Sequence, residues 1–409
     1  MTAGRRLRLA VLFGGTSAEH EVSRASAASV VRSLDSQRFD IVAIGIRRDG
    51  VWRRLSPRAV EAARRPRTAA RAIDDQLPLS GAVVGPYALS GVDVVFPVLH
   101  GPGGEDGSLQ GLLETICVPY VGAGVLASAV GMDKVATKRA LAADGVPVTR
   151  YVSFDEDQWA ARGDPLGLVA GLRRPWFVKP ANLGSSIGIT RVTAPTLLAE
   201  AVETALTHDG VVLVEEGLVG ARELECGVLG GYAPQASVVG EVRVTGGWFD
   251  FDQKYFGDSD PMIVPAALPA GVAERVRGLS VQAFQAIGGW GLARVDFLYD
   301  QPHDRLVVNE LNTLPGFTAH SMFPKVWAAT GLDYPQLLDR LVELALDRDR
   351  RRRHRRLPGP VADAVAAQAP VAQAPVLQAP VLQARAAQAP VDQAPFARRP
   401  VAITRRSPR

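Results

Sequence analysis

The chain has 409 residues, with 46 Lys and Arg against 42 Asp and Glu, a net charge of +4 at neutral pH. At roughly 100 to 200 residues per domain, that length suggests two to four domains. A hydrophobic fraction of 47% and a charged fraction of 22% argue against wholesale disorder, collagen-like repeats and a fibrous chain. Two cysteines, Cys117 and Cys226, are too few and too far apart for a disulfide framework or a thiolate metal site, which suits a reducing, cytoplasmic setting with both thiols inert.

In chain order, Arg8 to Phe13 is a short apolar run that Gly14 and Gly15 end, so it reads as a first β-strand and not as a signal peptide. GGTSAEHEVS follows, then apolar residues at helical spacing to Leu34, giving strand, Gly-rich turn and helix. The continuous runs Ile41 to Ile46 and Val92 to Leu99 read as buried parallel strands. The first ~125 residues are therefore expected to form an open α/β unit that binds ligands at the carboxyl ends of its strands. Thr115 to Met132 carries no charge, but Pro119, Gly122, Gly124 and Gly131 interrupt it, so a strand and loop are expected there and no membrane span. A helix from Asp133 should stop at Gly145, and RRPWFVKPA, GITRV and VVLVEEGL should be antiparallel strands with helices on one side. ECGVLGG, ASVVGEVRV, ARVDFLYD and RLVVNELN are expected as strands of a third unit, closed by a helix from Tyr334 to about Asp347.

From Asp349 onward twelve Arg face three Asp, a net of +9, which leaves −5 on the body. This tail continues as a five-residue Gln-Ala-Pro repeat whose prolines forbid a continuous helix and whose composition favours disorder. It reads as a solvated extension. Weak, salt-sensitive attraction to polyanions is the most its charge offers, because neither interleaved aromatic residues nor a recognition fold accompanies it, and no specific nucleic acid is implied.

Four local patterns carry chemistry. Glu19 places a carboxylate beside the N–H groups of the Gly14-Gly15-Thr16-Ser17 turn, which suits a substrate ammonium; the alternative is that it only favours the helix N-terminus. G-x-G-x-x-G spacing is absent, which disfavours a dinucleotide. His100 sits at a strand end before the loop GPGGEDG. Lys179, in the apolar run WFVKP, precedes the Gly/Ser loop Asn182 to Gly188, an arrangement that suits phosphates without being a Walker A loop; the alternative is a snorkelling surface lysine. Finally, the period-two geometry of strands puts Arg294 with Asp296, and Glu310 with Asn312, on one face each. Neighbouring strands can then present hard oxygen donors for one or two Mg²⁺ ions, or else a structural ion pair with Arg294.

Taken together, GGTSAEHEVS, LHGPGGEDGSLQG, PYVGAGVLASAVGMDK, VKPANLGSSIGI, VEEGL, ARELEC, FDFDQKY, ARVDF and NELNTLPGFTAHS closely resemble the D-alanine–D-alanine ligases of the ATP-grasp superfamily, from about Leu9 to Asp347. The resemblance implies an α/β (α+β) chain of three-domain ATP-grasp architecture: an open α/β N-terminal domain (1–125), a central subdomain (126–223), a C-terminal subdomain with the metal site (224–348) and a disordered tail (349–409). It also implies ATP as co-substrate, two Mg²⁺ or Mn²⁺ ions per site, two D-alanines as substrates, and a homodimer. By the same resemblance, Lys134, Lys179, Ser186 and Lys254 contact phosphates, and Glu215, Glu216, Leu218 and Glu223 contact adenine and ribose. Asp296, Glu310 and Asn312 hold metal, while Arg294 and the Gly316 N–H stabilise an oxyanion. Glu19, Ser185 and Tyr255 form a hydrogen-bonded set at the first D-alanine, which His100 also contacts, and Ser321 holds the second carboxylate. Many family members carry an aromatic residue where this chain has Gly217. The Lys254-Tyr255 pair favours dipeptide over a D-lactate ester.

Overall fold

Three sheets organise the computed structural model, which describes residues 5–65, 75–161, 163–243 and 262–355. In the first, β1 (Leu7–Gly14) leads through α1 (His20–Ser33) to β2 (Phe39–Ile46) and β3 (Trp52–Arg54); α2 (Pro57–Arg64), β4 (Ala82–Val84) and β5 (Val94–Pro97) follow. The order is β4-β3-β2-β1-β5, with β1 parallel to β2 and β5, and β3 antiparallel to both β2 and β4. A central parallel strand is covered on both faces, which is why β1 is an unbroken apolar run. Its alternate residues feed two cores: Leu9, Val11 and Phe13 enter one, Ala10 and Leu12 the other. The antiparallel edge of β3 and β4 escapes sequence reading because three-residue strands are too short to show a period.

The uncharged stretch 115–132 differs from expectation. After α3 (Ser108–Thr115) the chain makes a parallel bridge between Val95 and Tyr120, and then α4 (Val125–Met132) forms where a strand and loop were expected. Gly131 does not break this helix. It lets the helix approach closely, since a Cβ there would stand 3.0 Å from Thr313 Cγ2.

α5 (Lys134–Ala143) follows directly, capped by the Asp133 carboxylate on Ala136 N–H and stopped at Gly145, which takes a left-handed φ of 73°. The second sheet holds β6 (Tyr151–Asp155), which follows that turn; after α6 (Glu156–Ala160) and α7 (Pro165–Val169) come β7 (Trp176–Pro180) and β8 (Thr190–Val192), then α8 (Leu198–Leu206) and β9 (Val211–Glu216). Its order is β6-β9-β7-β8, every pairing antiparallel as expected, with α8 packed on one face.

β10 (Arg222–Gly230), β11 (Gln235–Val242), β12 (Met262–Ile263), β13 (Gly291–Asp300) and β14 (Arg305–Asn312) make the third sheet, ordered β12-β11-β10-β13-β14 and wholly antiparallel. α9 (Val272–Ala286) and α10 (Met322–Ala329) pack into its two flanking cores.

The last helix, α11 (Tyr334–Arg355), runs eight residues past its expected end near Asp347 and carries the fold into the arginine run. Asp347 pairs with Arg351 and Asp349 with Arg353, both with the acid four residues before the base. That order, and cations in the last turn, favour a helix. The remainder of the predicted disordered tail lies outside the described residues. Arg348 anchors the helix: its guanidinium lies 4.1 Å above the buried Tyr120 ring and donates to Gly122 O at 3.0 Å. Arg348→Ala should therefore cost about 2 kcal/mol, read as a lowered urea midpoint with unchanged slope. Cys117 is exposed and Cys226 buried, neither in a disulfide.

Candidate active site

The Gly-rich turn begins where β1 ends. Gly14 takes φ 90°, and a Cβ there would stand 2.2 Å from Ile46 O, so no other residue fits. Glu19 occupies the position before α1, yet its side chain makes no capping bond. Instead it accepts from Ser185 Oγ at 2.5 Å, 166 residues along the chain. Two of the three expected members of that hydrogen-bonded set thus meet; the third, Tyr255, lies with Lys254 outside the described residues. Ser185 and Ser186 both take left-handed φ, 53° and 60°, in the loop after β7.

His100 is buried just past β5. Its Nδ1 donates to Leu314 O at 2.9 Å, and its Nε2 lies in hydrogen-bond contact with the Ser26 hydroxyl at 3.2 Å. Leu314 belongs to the turn after β14, and Phe317 N–H donates to the same Ser26 oxygen. The histidine therefore ties the first sheet's ligand end to the Gly316 turn. There the Asn312 amide oxygen accepts from Leu314 N–H, and Ser321 Oγ accepts from Thr318 N–H. A Cβ on Gly316 would lie 3.3 Å from Ser321 Oγ, so the two expected substrate contacts are neighbours.

Lys179 is only 8% exposed, which rules out the snorkelling alternative. Its ammonium pairs with Glu215 Oε1 and reaches Asn309 Oδ1 at 3.4 Å. Asn309 is the extra residue of a β-bulge opposite Asp296 and Phe297, so the bulge aims an amide across the cleft between the second and third sheets. Lys134, at the start of α5, donates to Leu183 O and stands 4.0 Å from Glu310 Oε2. Burial pulls its pKa down against the pull of Glu310.

On the third sheet the expected pairing holds. Register puts Asp296 opposite Glu310 and Arg294 opposite Asn312, and it adds Glu225 opposite Asp296. Three carboxylates so form one cross-strand row, a repulsive arrangement by itself. Arg294 offsets it, holding both oxygens of Asp296 at 2.7 and 2.6 Å and Glu225 Oε2 at 2.9 Å. Despite burial, Asp296 and Glu225 raise the Arg294 pKa well above its ordinary value. Glu310, 36% exposed at its side chain, is the most open of the row.

Glu215 and Glu216 point to opposite faces, as adjacent strand residues must. Glu215 faces Lys138 and Lys179; Glu216 faces Arg150 and Arg173, leaving only its backbone for a nucleotide beside Glu215. Burial opposes the charge on Glu215, but the two lysines keep its carboxyl far below the usual range. Leu218 is half-buried in the following loop, and Glu223 lies on β10 on the same face as Glu225. Gly217 has its counterpart in space: a Cβ there would stand 2.5 Å from the Phe177 ring, so β7 supplies the aromatic surface that the sequence lacks at 217.

Sequence reasoning missed Lys138, Asn309, Glu225, Phe177 and Glu105. Lys138 was detectable, lying one helical turn after Lys134. Glu105 was not, since only the fold buries it. It accepts from Gly101 N–H at 2.9 Å, while its second oxygen has no hydrogen-bond partner among the described residues. Burial, then Glu19, push its pKa from 4.5 up to about 8. The folded protein thus holds a proton that the unfolded chain releases, so the stability that Glu105 contributes is fully present below pH 4.5 and is lost as pH rises toward about 8. In metal-free protein, Glu105→Gln should remove that decline. Its Tm relative to wild type should climb between pH 5 and 8, by up to roughly 1 kcal/mol per pH unit in stability.

The oxygen donors Asp296, Glu310 and Asn312 suit a hard cation. Among the described residues no group of three or more His, Cys, Asp or Glu side chains converges to cage an ion.

A lysine-bearing antiparallel sheet set against a carboxylate-bearing one is an ATP-grasp arrangement, and solved structures similar to this chain share that fold. The D-alanine–D-alanine ligase of Coxiella burnetii is 36% identical, with a TM-score of 0.70 over 86% of this chain and 97% of its own. The D-Ala:D-Ser ligase of Enterococcus faecalis is also 36% identical, with a TM-score of 0.71 over 83% and 100%. The family models for the D-ala D-ala ligase N-terminus and C-terminus match residues 8–123 and 140–343. Among curated relatives, the D-alanine–D-alanine ligase of Mycolicibacterium smegmatis is 48% identical over 370 residues, covering 84% of this chain and 96% of its own, and that of Kineococcus radiotolerans 47% over 374, covering 85% and 99%. The chain belongs to the D-alanine–D-alanine ligase family.

Proposed function

We propose that the chain joins two D-alanines into D-alanyl-D-alanine at the expense of ATP, for peptidoglycan precursor synthesis in the cytoplasm. The observation that carries this reading is the meeting of Lys134 and Lys179 with Glu310 and Asn309 across one cleft. Phosphoryl transfer gathers anions, so cations must sit where the phosphates lie and hard oxygens where a metal does. Lys134, Lys179, Lys254 and Ser186 hold the phosphates; Glu215, Leu218, Glu223 and the Glu216 backbone hold adenine and ribose, with Phe177 beside the ring. Asp296, Glu310 and Asn312 hold two Mg²⁺ or Mn²⁺ ions, which when bound neutralise phosphate charge.

Glu19, steadied by Ser185 and Tyr255, orients the ammonium of the first D-alanine, and the His100 loop borders it. The first carboxylate attacks the γ-phosphorus, ADP leaves, and an acyl phosphate forms. The second amine, its carboxylate held at Ser321, adds to that carbonyl. The resulting oxyanion is received by Arg294 and the Gly316 N–H, and phosphate departs. Homodimer formation completes the family reading.

A D-serine preference at the second position is the alternative, since identity to the D-Ala:D-Ser ligase equals that to the D-alanine–D-alanine ligase of solved structure. Phosphate release is measured with ATP, Mg²⁺ and D-alanine alone, then with D-serine or D-lactate added, and products are weighed by mass spectrometry. Dipeptide from D-alanine alone is expected. A dominant mixed product moves the specificity, and ATP binding without turnover overturns the ligase reading.

A further inference from the structure

Lys138 takes no part in the chemistry above, yet it is 2% exposed, an uncommon position for an ammonium group. Its Nζ lies 2.8 Å from Glu215 Oε2 and donates to Thr149 Oγ1 at 2.8 Å; the Thr149 hydroxyl donates to the same Glu215 oxygen at 2.7 Å. The other oxygen, Oε1, faces Lys179. Glu215 is therefore shared between two lysines, one beneath the cleft and one in it.

We propose that Lys138 is a positioning residue for the nucleotide: it neutralises Glu215 from below, so that Lys179 stays an uncompensated cation at the cleft while Glu215 Oε1 remains fixed as an acceptor beside it. This rests on the ATP reading of the site. The charge count carries the argument. Lys138, Glu215 and Lys179 sum to +1. Without Lys138 the remaining pair sums to zero, and a buried Lys179–Glu215 ion pair closes on itself instead of meeting a polyanion. The fixed geometry matters as well. A donor and an acceptor side by side match the N7 acceptor and N6 amino donor on one edge of adenine, and they oppose guanine, which presents two acceptors there. Thr149 holds the carboxylate without adding charge, so it contributes to placement and not to the charge balance.

The test is calorimetric binding of Mg²⁺-ATP to the full chain, alongside steady-state KM values and thermal melts. Lys138→Met should weaken ATP binding and raise KM for ATP by roughly 10- to 100-fold, the leverage one close buried charge has on an ionic equilibrium. KM for D-alanine, and kcat at saturating ATP, should stay within about 3-fold. Thr149→Val should lower Tm but keep ATP affinity within about 3-fold, since it changes no charge. If both variants lose ATP affinity in proportion to lost Tm, Lys138 only holds the sheet and the proposal is overturned. Should Lys138→Met fail to fold, Lys138→Gln, which keeps a hydrogen-bond donor toward Glu215 and Thr149 but no charge, takes its place with the same expected 10- to 100-fold loss of ATP affinity; a folded variant that binds ATP within about 3-fold of wild type overturns the proposal. A wild type that binds ATP but makes no dipeptide sinks the ligase reading and leaves this measurement standing; one that binds no ATP sinks both.

Discussion

Arg294→Met should stop turnover and loosen the fold together. Losing one donor to a developing oxyanion typically slows a reaction by about 10²- to 10³-fold. Here the same guanidinium also holds Asp296 through two hydrogen bonds and faces Glu225 in an ion pair, all largely out of solvent. Methionine fills the space but leaves two carboxylates facing each other across β10 and β13 with their cation gone. Removing one partner of a buried ion pair costs about 3–5 kcal/mol, so the urea midpoint should fall steeply alongside kcat. Intact stability in an inactive variant would mean that Arg294 serves only the substrate; intact activity would remove it from the site.

Glu310→Gln should do the opposite, losing function with little change in fold. Its side chain is the most open of the carboxylate row, and Lys134, 4.0 Å away, is bonded elsewhere. A glutamine keeps the shape and one oxygen but not the charge that a hard divalent ion needs. Ligand-sphere changes commonly cost 10- to 100-fold in metal affinity. The Mg²⁺ concentration giving half-maximal phosphate release should therefore rise by at least about that factor, with a melting curve close to wild type. An unchanged Mg²⁺ requirement would remove Glu310 from the metal's partners. The two variants together separate the row's structural cation from its ligand.

Much of this site was legible before any coordinates, because strands translate sequence directly into facing. Arg294 with Asp296, and Glu310 with Asn312, share faces by period two, and register then sets the pairs opposite each other. Lys179 stood out because a charge inside an apolar strand demands a partner. Lys138 apart, the missed features share a cause: each depends on a contact between distant segments. The Asn309 bulge is invisible in a run that reads as an unbroken strand. Phe177 matters only because Gly217 leaves room for its ring. Glu105 looks like an ordinary loop carboxylate until the fold sets it beside Glu19 and away from water.

Local composition was least informative where glycine and charge act against their usual sense. Gly131 reads as a breaker but serves close packing in α4. The arginine run reads as the start of a tail, yet its first residues extend α11, because Asp347 and Asp349 sit one turn before their partners and Arg348 stacks on Tyr120.

By itself, then, the sequence determined most of the kinds of element, the order of the three sheets along the chain and the family. It could do so because periodicity, glycine turns and charges in apolar runs are local properties. Only the tertiary structure decided which side-chain oxygen meets which ammonium: that Glu19 reaches Ser185, that Glu215 is divided between Lys138 and Lys179, and that Arg294 bridges Glu225 and Asp296. Those pairings, and the shifts in proton affinity that come with them, arise from burial and from distances between segments far apart in the chain, which no local pattern encodes.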